Sequence, residues 1–143
     1  MPFTLAGFCD YHEEIRKSRF ITLAGPITSP AEAQAFIEQH SDLDATHNCW
    51  AWKLADQYRS NDDGEPGGTA GRPMLEVLRH QDLEGVLATV VRYYGGTPLG
   101  AGGLVRAYTD SVAQALLQAH KVPVIRWREL RCVLPYALEG WLR

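Results

Sequence analysis

The run GVLATVVRYY, Gly85 to Tyr94, constrains this chain more than any other part of it. Its β-branched and apolar residues are nearly continuous, and successive side chains of a strand point to opposite faces of the sheet. A strand of this kind is buried on both faces, which makes it the central strand. It runs straight into GGTPLGAGG, Gly95 to Gly103, and then into a helix from about Gly102 to His120. Leu104, Tyr108, Val112, Ala115 and Ala119 form the packed face of that helix.

The same device, glycines in front of a helix, occurs earlier. NDDGEPGGTAGRPML, Asn61 to Leu75, precedes a helix from Pro73 to about His80 with Met74, Val77 and Leu78 inward. Upstream, residues 3–27 read as strands, FTLAGFC and then IRKSRFITLAGPI. In the second, Ile15, Lys17, Arg19, Ile21 and Leu23 share one face, and Arg16, Ser18, Phe20 and Thr22 share the other. Ser29-Pro30-Ala31-Glu32 is a helix start, with Ser29 as cap, Pro30 at the first position and Glu32 completing a capping box. That helix runs to about His40 and buries Ala33, Phe36, Ile37 and His40. His47 to Leu54 is a strand with Trp50, Trp52 and Leu54 on one face, and Val122 to Leu134 is the last. This order indicates an α+β fold, a two-layer sandwich of a mixed β-sheet with helices on one face.

At 143 residues the chain is long enough for one domain with a proper core and too short for two full-sized ones. A formal charge of -3 argues against binding nucleic acid by bulk electrostatics, which requires clustered Lys and Arg, and leaves only a local basic patch. No DNA sequence recognition is expected. The longest apolar run, Val86 to Val91, is far shorter than a membrane span, and the N-terminus lacks a basic region followed by an apolar one. Cys9, Cys49 and Cys132 are widely spaced, so neither a disulfide framework nor a zinc site is indicated. The expectation is a cytoplasmic protein with no metal, no cofactor and no membrane partner.

Glycines before a helix let several N–H groups converge on one anion at the positive end of the helix dipole. Gly67, Gly68 and Gly71 in one loop, and Gly100, Gly102 and Gly103 in the other, are placed to do so. Neither loop matches a phosphate-binding or dinucleotide fingerprint. Asp62, Asp63 and Glu65 read first as solvated turn acids. Glu65 precedes a proline and is biased to extended backbone, so its carboxylate alternatively points across to Arg72, Arg92 or Arg106. His47 and Cys49 share a strand face, the arrangement an activated thiolate would need, although a packed Cys and a hydrogen-bonded His are the commoner outcome. No Ser/His/Asp order and no paired catalytic carboxylates are found, so no catalytic residue is assigned. The candidate ligand-binding set is Asp63, Gly64, Glu65, Gly67, Gly68, Thr69, Gly71, Arg72, Arg92, Tyr93, Tyr94, Gly95, Gly96, Gly100, Gly102, Gly103 and Arg106. His47, Asn48 and Cys49 are secondary candidates.

HNCWAWKL, NDDGEPGGTAGRPMLEVL and VVRYYGGTPLGAGGLVRAYTDSVAQAL, in this order and spacing, resemble the YigZ/IMPACT family. The resemblance covers residues 3–128. It implies a fold similar to the second domain of ribosomal small-subunit protein five, which domain IV of elongation factor G and small-molecule kinases share. It implies residues 1–128 as the family's N-terminal domain and residues 129–143 as the start of a truncated ferredoxin-like domain. Eukaryotic members are binding proteins that keep translation initiation running, so the resemblance points to a non-enzymatic regulatory protein with an RNA, ribosome or translation-factor partner. The alternative, from the kinases of that fold, is an enzyme or sensor that holds a phosphorylated or nucleotide ligand at the glycine loops.

Overall fold

A computed structural model describes residues 3–124, which form β1 (Phe3–Leu5), β2 (Cys9–Ile15), β3 (Ser18–Pro26), α1 (Pro30–His40) and β4 (His47–Leu54). They continue through β5 (Gln57–Asn61), α2 (Gly71–His80), β6 (Val86–Tyr93), α3 (Gly100–Gln118) and β7 (Lys121–Pro123). Five strands pair in the order β2-β3-β6-β4-β5, so the apolar run is the middle strand. It is buried at every position but its last. β1 and β7 form a separate antiparallel pair. The expected opening of a second domain lies outside the described residues.

The sandwich is α+β, and its layering has a physical cause in β6. Val86, Ala88 and Val90 join the larger core with Met74 and Leu78 of α2 and with Leu104, Tyr108, Val112 and Leu116 of α3. Leu87, between them, points the other way, into a smaller core with Trp52 and with Ala33, Phe36 and Ile37 of α1. Two helices therefore share one face, and α1 covers part of the opposite one. Every ladder of the five strands is antiparallel, and the parallel pairing is a single bridge between Phe3 and Leu83.

α1 begins as its sequence dictates. Ser29 Oγ accepts the Glu32 N–H at 3.1 Å, with Pro30 in the first turn, while the Glu32 carboxylate accepts the Thr28 N–H at 2.6 Å rather than that of Ser29. The strand read from Ile15 begins instead at Ser18, and a hairpin joins it to β2, most of which was not read as a strand. The two-residue turn of this hairpin, Arg16 and Lys17, has φ of 48° and 70°, the left-handed pair that a type I′ turn demands. Neither residue is the Asn or Gly that usually marks such a turn, so the strand was started at Ile15, across the turn, and DYHEE was left unassigned. β5 escaped notice for the same reason: Ala55, at φ 51°, begins the turn that joins it to β4.

Gly95 is fixed by this hairpin. A Cβ there would lie 2.0 Å from the Lys17 carbonyl oxygen, which is backbone and cannot swing aside. Gly95→Ala is expected to cost about 1–3 kcal/mol, as overpacking does, read as a lower thermal midpoint. An unchanged midpoint would contradict the contact.

Candidate functional site

Strand register brings His47 of β4 and Phe20 of β3 beside Arg92 of β6, all on the face covered by α2 and α3. The loop after β5 folds over this row and drops Glu65 onto it. Arg92 Nη1 donates to both Glu65 carboxylate oxygens at 2.9 and 2.8 Å, with both side chains buried. Its remaining guanidinium nitrogens, Nε and Nη2, donate to Ser18 Oγ at 3.3 and 3.2 Å. The guanidinium also lies 5.5 Å from the Phe20 ring and 5.3 Å from that of Tyr94. Of the three arginines weighed as partners for Glu65, the register selects Arg92.

Glu65 is further held by the Tyr108 hydroxyl at 2.5 Å and by His47 Nε2 at 3.2 Å. His47 Nδ1 lies 2.8 Å from the Asp63 carbonyl, an atom that only accepts. The ring thus bridges the Glu65 carboxylate and the Asp63 carbonyl, with its donor role set by the tautomer. Tyr108 is buried, and burial, followed by the Cys49 and Glu65 charges and hydrogen bonds, pushes its hydroxyl far above the ordinary value. Cys49 is hydrogen-bonded to the Asp62 carbonyl at 3.1 Å and to the Tyr108 hydroxyl at 3.4 Å, not to His47. Burial pushes its thiol up to about 12, against the lowering effect of the Tyr108 bond and together with the charges of Glu65, Asp63 and Asp62. Such a thiol is a packed donor rather than a nucleophile.

Asp62 organises the rest of the loop. Its carboxylate accepts the N–H groups of Gly68 at 2.9 Å, Ala70 at 3.1 Å and Gly71 at 2.8 Å. The N–H groups expected to meet an external anion therefore converge on one from within the chain. Burial alone would raise the Asp62 pKa, and these three N–H groups outweigh it and hold the carboxyl below its usual range. Neither Asp62 nor Glu65 is a solvated turn acid. Thr69 is buried, and its hydroxyl and N–H both bond the Pro66 carbonyl, at 2.6 and 3.1 Å. Gly64, at φ 87°, lies against the His47 ring, and Gly71 abuts the Asn61 backbone. Asp63 accepts the Asn48 N–H at 2.6 Å, and the Asn48 amide bonds both backbone groups of Asp42, each at 2.9 Å.

The other predicted residues divide by face. Tyr93 points to the opposite side of the sheet, where its hydroxyl donates to Asp42 and Arg19 lies 4.7 Å over its ring. Gly67, Gly68, Arg72, Tyr94, Gly96, Gly100, Gly102 and Arg106 are exposed, and Gly103 is half-buried. α3 begins after Leu99 with no side-chain cap. Ser18 and Tyr108 were absent from the candidate set, because a Ser beside a basic turn and a Tyr on a packed helix face carry no local signal of a buried partner.

Residues 16–116 match the Impact N-terminal domain. The chain belongs to the IMPACT family. An IMPACT family member encoded in the pol 5' region of Thermus thermophilus is 45% identical over 126 residues, 88% of this chain and 70% of that protein. YvyE of Bacillus subtilis is 41% identical, with 98% of this chain and 65% of YvyE covered. YigZ of Escherichia coli is 48% identical, with 74% and 55% covered. The chain thus spans between 55% and 70% of the length of these relatives. A crystal structure described as that of a hypothetical protein superposes with a TM-score of 0.80 at 43% identity, over 85% of this chain and 62% of its own. The IMPACT motif segments contain the buried cluster: HNCWAWKL carries His47 and Cys49, the DGEPGGTAG loop carries Glu65, and VVRYYGG carries Arg92.

Proposed function

We propose that this domain is a non-enzymatic binding module of translation control in the cytoplasm, which contacts RNA or the ribosome through the surface around its two helix starts. The observation that carries this reading is the closure of the motif's polar groups on one another. Glu65, Arg92, His47, Tyr108 and Asp62 meet partners inside the fold, so they shape a loop rather than attack a substrate. IMPACT membership supports it further, since the resemblance implies binding proteins of translation initiation. The described residues hold no helix long and apolar enough to cross a membrane.

What this end of the fold offers a partner is Gly67, Gly68 and Arg72 at the start of α2, and Tyr94 and Gly96 after β6. An arginine and an exposed ring suit a phosphate backbone and a stacked base. Arg72→Glu with Tyr94→Ala is expected to remove co-sedimentation with ribosomes while lowering the unfolding free energy by no more than about 1 kcal/mol, since both residues are exposed and only the Tyr94 ring contact with Arg92 is given up. Unchanged pelleting of the variant, or no pelleting of the parent, would overturn the reading.

A second reading, a sensor of a small anionic molecule, has an observation of its own. α3 starts uncapped beside a cleft with two arginines in its lining, Arg16 and Arg106.

A further inference from the structure

We infer that the cleft between β2 and the first turns of α3 is a binding site for a small zwitterion, a molecule with an anionic group and a primary ammonium a few ångströms apart. This deepens the sensor reading and does not depend on ribosome contact. The cleft has a volume of about 310 Å³. Its lining carries two guanidinium groups, Arg16 and Arg106, and two carboxylates, Glu13 and Asp110. None of the four takes part in a salt bridge among the described residues. A net-neutral lining with both signs displayed complements a ligand that is itself neutral and bipolar, not a bare phosphate or a simple amine.

One further observation points the same way. Glu13 is half-buried and lines the cleft, and its Oε2 has no hydrogen-bond partner, so the carboxylate has unused acceptor capacity for an ammonium N–H. Arg16 reaches the cleft from the first position of the β2–β3 turn, whose left-handed backbone, φ 48°, glycine or asparagine would adopt without strain. On the opposite wall, Leu99, Gly103, Arg106, Ala107 and Asp110 run along one side of α3. The anionic group of the ligand lies between Arg16 and Arg106, and its ammonium reaches Glu13 and Asp110.

The test is an amide NMR titration with two zwitterions, O-phosphoethanolamine and L-serine, against inorganic phosphate and ethylamine as single-group probes. Expected are shifts at Glu13, Arg16, Gly103 and Arg106 with at least one zwitterion, and about tenfold weaker binding of both single-group probes. Which zwitterion binds tells whether the anion is a phosphomonoester or a carboxylate. Glu13→Gln and Arg16→Gly are each expected to weaken binding about tenfold. Arg16→Gly is also expected to raise the thermal midpoint by relieving the turn, a combination that a merely structural arginine does not produce. Absence of shifts with both zwitterions at millimolar concentration would overturn the inference. So would equal binding of inorganic phosphate, or undiminished binding by Glu13→Gln. Ribosome co-sedimentation of Glu13→Gln is expected to equal that of the parent, so the two readings fail separately.

Discussion

Arg92→Ala is expected to lower the unfolding free energy by about 3–5 kcal/mol, because it leaves the Glu65 carboxylate buried without its counter-charge. The residue is 4% exposed, and its guanidinium engages Glu65 and Ser18 while lying between the Phe20 and Tyr94 rings. Removal therefore costs packing and hydrogen bonds in addition to charge. The loop from Asp62 to Ala70 has its inward anchor at Glu65, so it is expected to open with the loss, seen as faster amide exchange at Thr69 and Ala70. The measurement is a urea midpoint at unchanged m-value. A second variant separates the ion pair from the general packing. Arg92→Met with Glu65→Leu removes both charges together and is expected to recover much of the loss, since replacing a whole buried pair by apolar groups is often close to neutral. A loss below about 1 kcal/mol for Arg92→Ala, the range of an exposed ion pair, would mean that the pair is not buried in solution. It follows that a missing activity in an Arg92 variant reports an unfolded domain and not a lost surface contact. For that reason the ribosome test rests on Arg72 and Tyr94.

Asp62→Ala is expected to cost about 2–4 kcal/mol. A lost N-terminal cap alone costs about 0.5–2 kcal/mol, and here one carboxylate holds three N–H groups, two of them at the entry to α2. Asp62→Asn keeps one acceptor oxygen and is expected to fall between the two. The same contacts predict a pH dependence. The folded-state pKa of Asp62 lies below its unfolded value, so the stabilisation is fully present above about pH 4 and is lost as the pH falls through the folded value. The stability of the parent protein is expected to drop over that acid range more steeply than that of Asp62→Ala. Parallel pH profiles for the two would show that the carboxylate makes no charged contact with the loop.

Much of the architecture was legible along the chain. The unbroken apolar pattern of β6 placed it at the centre, and Ser29-Pro30-Ala31-Glu32 announced α1. The glycine-rich segments ahead of α2 and α3 located both helix starts to within two residues. These are short-range signals, in which the deciding atoms lie within a few residues of one another. The hairpins at Arg16-Lys17 and Ala55 were illegible because residues without turn preference occupy their positive-φ positions.

The site divides along the same line. Sequence by itself singled out Glu65, Arg92 and the glycines as candidate ligand contacts, with His47, Asn48 and Cys49 secondary, because charge, proline context and glycine spacing are properties of the chain. Only the tertiary structure decided what that set does. The partners are remote: Glu65 and Arg92 are 27 residues apart, and Arg92 and Ser18 are 74. Which side chain stands opposite which depends on strand register, and a shift of one residue would turn Arg92 to the other face of the sheet. Register also sets Glu13 beside Phe20 and under α3, where its carboxylate faces a cleft that no local pattern marks. The glycine loops were read as open to an anion, and one of them already holds one, the carboxylate of Asp62, because the loop that supplies the N–H groups curls back far enough to supply the charge as well.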